Sequence, residues 1–529
     1  MKRPALFSLA TLAIAACSDG PGPTEPMVPD SPALSAVVSA AAGGYTIVDL
    51  LTLGGTESEA RDINNLDQVV GWSTTAAGDR HAFLWDSGAM SDLGTLPGGT
   101  SSEAWDVNDA GQVVGLSPTP STSPFPHAFL KNPGQPMIDL SALAGFNCAS
   151  SVAINEAGEV VVSADNCSTM RRSFYWSPSS GPIDLGSLGG SRTNGVAING
   201  AGQVVGTGLT AASEFHAFLW ELSQGIQDLG TLGGNRSFAS GINAGGKVVG
   251  GSLLTGGSLP NNHAFLWTAG GGMVDLGIPP GGDVSLAEKI NSSDQISGGW
   301  RPAGSGSFRG FIWDSGVMTD LGSVGSSTDP RDLNDAGQIV GVGTTVVGSR
   351  AWIWEAGTIT DLGTLPGTNT ASAASAVNES GVVAGVSFSS VSGQIVFRAV
   401  IWQPPGGPSE IEAEIDIKPG SDPNSINCGQ SNGVISVAIL TTGSFDATTV
   451  DHTTVTFEGA SETHVDKKTG LPRVHEEDVD GDGDTDLVFH FRLGDANLTC
   501  ASTEGRLDGE TLDGQPIFGV DAVRMVGRR

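Results

Sequence analysis

Five aspartates within nine residues, Asp478, Asp480, Asp482, Asp484 and Asp486, make up the stretch of this chain with the clearest chemistry. With Asp478 as position 1, carboxylates stand at positions 1, 3, 5 and 9, and Gly483 stands at position 6, where a sharp turn is needed. Asp484, at position 7, would offer its backbone carbonyl. Hard oxygen donors at this spacing suit Ca²⁺, which collects about six to eight of them. Position 12 is Phe489 where a bidentate Glu is wanted, so Glu476 or Glu477 is left to supply the missing oxygen. The alternative is an acidic, solvated turn. Calcium is the expectation, in a structural role that clamps the loop.

A second set of polar residues repeats. His81, His127, His216 and His263 each open an HAF tripeptide, and Arg172, Arg309, Arg350 and Arg398 fill the same slot elsewhere. A guanidinium has donors only and stays charged, so the slot is not a metal site. It asks for a planar N–H donor. An Asp follows 11 or 12 residues later, which would set His81 beside Asp92 and Arg309 beside Asp320 if the two segments form a hairpin. The reading is a structural donor–carboxylate pair.

The elements that must position these residues recur with them. An IN-x-x-x-QVVG segment carries Asn64, Asn108, Asn155, Asn199, Asn243, Asn291, Asn334 and Asn378, and a DLG segment carries Asp49, Asp92, Asp139, Asp184, Asp228, Asp275, Asp320 and Asp361. A period of about 41–48 residues marks a repeat architecture. Each period reads as four short strands broken by Gly and Pro, with no helical periodicity, which matches a β-propeller blade. The array opens with a lone fourth-type strand, 45–53, and ends with three strands that lack a fourth, the last at 398–402. Pairing those ends would close a ring and remove two free sheet edges. The fold class is therefore all-β: an eight-bladed β-propeller of about 45-residue repeats over 45–403, followed by a small β-sandwich-like domain.

These copies resemble the HAF-repeat family of extracellular bacterial repeats. The resemblance implies an exported surface protein. It contributes no catalytic residues, because the family carries no established activity. The tryptophan of HAFLW, as at Trp85 and Trp402, reads as packing between blades. Trp72, Trp105, Trp300 and Trp352 lie off that register and are the better candidates for exposure. The variable loops 117–126, 207–215, 253–262 and 388–394 join second to third strands and are the candidate binding surface.

Residues 404–410 read as a linker, and the alternating segments of 411–529 belong to the second domain. Its pattern, IDIKPGSDPNSIN, then GVISVAIL, then DVDGDGDTDLVFHF, resembles a domain recurrent at the C-termini of secreted bacterial proteins. The Asp-rich stretch is similar to the first part of an EF-hand-type loop. The strand reading of 487–491 leaves no flanking helix, so a standalone EF-hand is excluded.

The N-terminus is read as a signal: Lys2 and Arg3, an apolar run too short to span a bilayer, then Ile14-Ala15-Ala16-Cys17. This resembles the lipobox of bacterial lipoproteins. It implies cleavage after residue 16, acylation of Cys17, and a flexible tether to residue 44. The expected location is the bacterial outer membrane or cell surface, with the membrane reached through the lipid alone. With Cys17 set aside, Cys148 and Cys167, and Cys428 and Cys500, read as two local disulfides of an oxidising compartment.

A net charge of −32, from 25 basic against 57 acidic residues, argues against nucleic acid as a partner. The expected function is a surface-anchored, monomeric binding, adhesion or scaffold protein without catalysis, whose extracellular ligand is a glycan or a protein. Two alternatives stand beside it: a polysaccharide lyase or glycosidase, and a purely structural envelope component. An enzyme would need an unrepeated cluster of catalytic groups. Glu103, Asp283 and Glu288 lie outside the repeated positions, but nothing pairs them in sequence.

Overall fold

The computed structural model describes residues 38–40, 44–119, 126–146, 148–165, 171–257, 261–346, 348–391, 394–404, 411–421, 424–427, 433–442, 445–465, 472–496, 498–500, 502–512 and 516–526. The fold is all-β, and its repeats are propeller-type blades. Four-stranded antiparallel sheets follow one another over 54–94, 103–139, 148–184, 189–228, 233–277, 282–320 and 327–363. The fourth and fifth are joined into one longer path by a single parallel pairing, Phe215 with Arg236. The next sheet takes three strands from 368–403, its fourth, Thr46–Asp49, from the start of the array, and a fifth, Val38–Ala40, from within the segment read as a tether, which pairs antiparallel with Thr46–Asp49. The register there is Thr46 with Gln403, Ile47 with Trp402, Val48 with Ile401 and Asp49 with Val400.

The core lies between blades. Phe83, Phe129, Phe174, Phe218, Phe265 and Phe311, the third residues of HAF or its variants, are fully buried. Each packs on the blade before it: Phe129 beside Val70, Ala82 and Leu96, for example, and Phe83 beside Ala384, Ala399 and Ile401 of the last blade. Burying one such side chain contributes roughly 1.5–3 kcal/mol.

In QVVG the glycine sits where the second strand presses on the first. A Cβ on Gly71 would lie 1.9 Å from the Glu59 carbonyl oxygen, so no side chain fits. Beside that contact the first strand carries a one-residue β-bulge, between Ala60 and Asp62 in the first blade, and the same irregularity returns in others. Bulges re-aim side chains.

Two expectations need correction. Trp72, Trp300 and Trp352 are buried; of the four off-register tryptophans only Trp105 reaches the surface, at 36% exposure. Trp352 occupies the phenylalanine slot of its blade, paired with Asp361 as Phe83 is with Asp92. Trp72 is covered by the Arg80 guanidinium, 3.5 Å above its ring. The repeats also contain a one-turn helix, Leu140–Leu143, N-capped by Asp139. Among the described residues, no helix is long and apolar enough to cross a membrane.

The C-terminal region forms a five-stranded and a four-stranded sheet that share one core, to which a two-stranded parallel pair, Ser425–Asn427 with Arg524–Val526, adds Ile426 and Met525. Ile415, Val437 and Phe491 of one sheet meet Phe457, Leu507 and Ile517 of the other. The Phe457 and Phe491 rings lie 5.6 Å apart.

Candidate functional site

The repeated Asp does two tasks at once. In the first blade Asp92 Oδ2 lies 2.9 Å from His81 Nδ1, and its Oδ1 accepts the Gly94 N–H at 2.7 Å. Gly94 has φ +75°, the left-handed conformation that lets the chain turn back onto its own Asp. DLG is thus a turn locked by its first residue. The donor slot follows in order: His127 with Asp139 at 2.8 Å, Arg172 with Asp184, and His216 with Asp228 and His263 with Asp275, each at 2.9 Å. Arg309 reaches Asp320 at 3.3 Å and Arg350 stands 3.9 Å from Asp361. In the sheet that takes in Thr46–Asp49, burial raises the Asp49 carboxyl above its usual range, offset in part by the Leu51 N–H and then by the Arg398 charge. No copy of the slot offers a free imidazole pair to a ligand.

The repeated Asn is equally committed. Asn64 Oδ1 accepts the Gln68 N–H at 2.9 Å and closes its own turn. Its Nδ2 donates to the carbonyl of Asn108 in the next blade at 2.9 Å. The same donation passes from Asn108 to Asn155, Asn199, Asn243, Asn291, Asn334 and Asn378, at 2.8–3.0 Å. Asn378 then donates to the Asn64 carbonyl at 3.1 Å. These side chains are buried, so each bond replaces water that cannot reach the group.

Sequence reasoning missed the place where the repeats cease to match. The residue two before each Asn is Asp62, Asp106, Ala153, Ala197, Gly241, Lys289, Asp332 and Ala376. Asp62 senses the charges of Asp106 and Asp332, while Lys289 is 3.0 Å from Asp332 and senses Asp62 and Asp106. Groups from the first, second, sixth and seventh blades therefore lie within electrostatic reach of one another. Burial first, then the field of Asp106, holds the Asp62 carboxyl well above its usual range, and burial also raises Asp106. Asp332, ahead of burial, keeps Lys289 charged. Each aspartate also accepts the next blade's backbone: Asp62 from Val107 N, Asp106 from Ile154 N and Asp332 from Val377 N, all at 3.0 Å. Beside them, burial and then Asp329 push Glu288 up to about 7. Of the other unrepeated carboxylates, Glu103 pairs with Arg61 and Arg80, and Asp283 with Arg301.

In the C-terminal region the acidic loop is folded back on itself. Asp486 is fully buried and accepts Thr441 N and Val479 N, both at 2.8 Å, which anchors the end of the loop. Asp478, Asp480 and Asp482 each accept a loop amide, from Gly481, Asp482 and Asp484 respectively. Carboxylate oxygens of Asp478, Asp480 and Asp486 lie within 4.8 Å of one another, and so do those of Asp480, Asp482 and Asp484. The Asp484 side chain therefore joins the cluster, and its buried Oδ1 has no hydrogen-bond partner. Lost hydration first, then the close approach and charge of Asp482 and the fields of Asp486 and Asp480, push its carboxyl up to about 6. An orphaned oxygen among like charges fits a hard cation. Glu476 and Glu477 are exposed and belong to neither group.

Cys148 and Cys500 are each disulfide-bonded. Their expected partners, Cys167 and Cys428, lie outside the described residues, as do Cys17 and the signal segment.

What these features define is an all-β repeat protein of propeller type. No family model matches the chain, and no curated protein matches it. Solved structures do. The β-propeller domain of the trilobed protease from Pyrococcus furiosus is 9% identical, over 62% of this chain and 98% of that one, with a TM-score of 0.38. TolB from Acinetobacter baumannii is 13% identical, over 55% and 78%, with a TM-score of 0.34. A puromycin hydrolase is 12% identical, over 75% and 66%, with a TM-score of 0.40.

Proposed function

We propose that the chain is a lipid-anchored, non-catalytic display protein of the HAF-repeat type, in which a closed eight-bladed propeller presents a binding surface outside the cell. The observation that carries the reading is the internal use of the repeated polar groups: the donor–Asp pairs and the Asn chain spend their hydrogen bonds on the scaffold. What varies is the set of second-to-third-strand loops. These lie at the strand ends opposite the Asn turns, which makes that end the binding face. Closure is supported by Thr46–Asp49 in the last sheet and by the Asn378–Asn64 bond.

The C-terminal β-sandwich-like domain holds Ca²⁺ on this reading. Asp478, Asp480, Asp482, Asp484 and Asp486 supply hard oxygens, and the ion would neutralise the loop. Cys148–Cys167 and Cys428–Cys500 are the local disulfides, Cys17 bears the lipid, and the chain acts as a monomer.

A glycosidase is the runner-up, and the axial carboxylates are its only foothold. That chemistry needs carboxyls roughly 5–9.5 Å apart around a sugar. Asp62 and Asp106 already accept backbone amides, from Val107 and Ile154, and Asp62 feels the charge of Asp106 at close range.

Residues 18–529, made without lipid, can be screened on a glycan array and against extracellular proteins, with product analysis of every glycan bound. Retention of a ligand unaltered, lost when loops 207–215 and 253–262 are exchanged for Gly-Ser, is the expected result. Turnover of a glycan abolished by Asp62→Asn would sink the non-catalytic reading. Cys17→Ser should leave the detergent phase for the aqueous one; partition like the parent would remove the anchor.

A further inference from the structure

We propose that His464, His475 and His490 form a binding site for a divalent transition-metal ion of the zinc class, separate from the acidic loop. Three segments bring them together. His464 follows the two-residue strand Ala460–Ser461, His475 opens the strand His475–Glu477, and His490 lies on Asp486–Arg492. His475 pairs with Val488, so His490, two residues along, shares its face of the sheet. Buried Glu462 fastens the two remaining segments by accepting the backbone N–H groups of both His464 and His490. Thr463 adds two bonds to the His490 carbonyl, each 2.8 Å.

The imidazoles are then held with one nitrogen of each within 4.8 Å of the others. His464 Nδ1 faces His475 Nε2 at 2.9 Å, and His490 Nδ1 is buried with no hydrogen-bond partner. Two ring nitrogens in opposition need either a proton between them or a shared cation in front of them. A tetrahedral ion with bonds of about 2.0–2.1 Å sets its nitrogens roughly 3.3 Å apart, a few tenths of an ångström from the His464–His475 separation.

Donor chemistry selects the ion. Three imidazoles without a thiolate suit Zn²⁺ and its neighbours, whereas Ca²⁺ prefers the oxygens of the acidic loop. A cavity of about 410 Å³ borders His475 and His490 and is also lined by Lys418, Ser436 and Glu477. Three protein ligands beside a cavity leave a fourth position for water or an anionic ligand.

The test uses the full chain, stripped with chelator and dialysed against buffered Zn²⁺, with bound metal measured by mass spectrometry and Co²⁺ as a spectroscopic probe. One zinc per chain is expected, together with the strong visible absorption of four-coordinate Co²⁺. His464 is exposed, so His464→Ala should keep the parent's near-ultraviolet circular dichroism and melt. Its zinc affinity should fall by more than the roughly 10–100-fold that losing an outer-shell partner costs. His475→Gln should behave alike, while Asp480→Ala with Asp482→Ala should retain zinc. Substoichiometric zinc in the parent, or parent-like zinc in the folded His464→Ala protein, overturns the site.

Discussion

The propeller region and the C-terminal region use polar residues in opposite ways. In the first, a polar side chain repeated every blade finds partners fixed by the repeat: Asp92 has His81 and Gly94 of its own blade, and Asn64 has Gln68 of its own turn and Asn108 of the next blade. In the second, nothing repeats, and like groups gather at single places: Asp478, Asp480, Asp482, Asp484 and Asp486 in the acidic loop, and His464, His475 and His490 from three segments. A buried polar group left unpaired costs roughly 1–3 kcal/mol. Repetition satisfies the Asp and Asn side chains in this way, although other buried atoms of the propeller, such as Trp352 Nε1, Trp402 Nε1 and His127 Nε2, also lack a partner. In the C-terminal region the gathered carboxylates and facing imidazoles are what a bound cation would relieve. Stability of the first should therefore follow closure and packing, and stability of the second should follow ions.

The largest effect comes from removing the strand that the start of the array lends to its last sheet. Deleting residues 45–53 removes buried Tyr45, Ile47 and Leu50, at roughly 1.5–3 kcal/mol each, and exposes two sheet edges. The loss is of the same order as the roughly 5–15 kcal/mol that holds a whole domain. Calorimetry of the full chain should show the propeller transition abolished or lowered by more than about 10 °C, with the C-terminal transition in place. An unchanged propeller melt would mean the sheets do not depend on closure.

Much of this was legible because repetition reports geometry. A donor 11 or 12 residues before an Asp, in copy after copy, implies two adjacent strands whatever fills the slot. The pairing of 45–53 with 398–402 followed from a strand missing at one end and spare at the other. Features that do not repeat were illegible. Asp62, Asp106, Lys289 and Asp332 are up to 270 residues apart and meet only because the array curves on itself. Trp352 was misread because its place in the phenylalanine register is hidden when only the HAF letters are compared. His464, His475 and His490 come from a loop and two strands, a spacing that resembles no motif.

Glu288 tests whether the propeller's unrepeated axis is a liability. Burial, then Asp329, pushes its carboxyl up to about 7, against about 4.3 in an unfolded chain. Between those values the folded state binds more protons than the unfolded one, so stability falls as pH rises. The neutral form's contribution is complete below about pH 4 and gone above about pH 7. Glu288→Gln should match the parent near pH 4 and exceed it by up to about 3 kcal/mol at pH 8. Urea melts at the two pH values measure this, and a constant difference would assign the effect to something other than titration.

The C-terminal counterpart is slightly smaller. Calcium at a hundredfold excess over its Kd should stabilise the folded region by about 2.7 kcal/mol relative to chelator. The C-terminal transition alone should rise, by on the order of 10 °C, and the rise should vanish in Asp480→Ala with Asp482→Ala. Equal melts in calcium and chelator would leave the acidic loop a solvated turn and weaken the contrast between the two regions.

The smallest effect tests the repeated pair itself. His81→Arg keeps a planar donor within reach of Asp92 and should change stability by less than about 0.5 kcal/mol, as a surface substitution does. His81→Ala strands Asp92, but that carboxylate is 41% exposed and water can replace the imidazole, so the cost should be near 1 kcal/mol. The second blade offers the sharper case. His127 is only 6% exposed, Asp139 is 24% exposed, and Asp139 also caps the helix Leu140–Leu143 through Ala142 N. Losing the imidazole there leaves a carboxylate that water reaches poorly, and His127→Ala should cost about 2 kcal/mol. Chemical denaturation of the three variants gives the ranking. If Arg and Ala at position 81 destabilise equally, the slot does not act through its N–H, and if Ala costs the same at 81 and 127, burial does not set the strength of the pair.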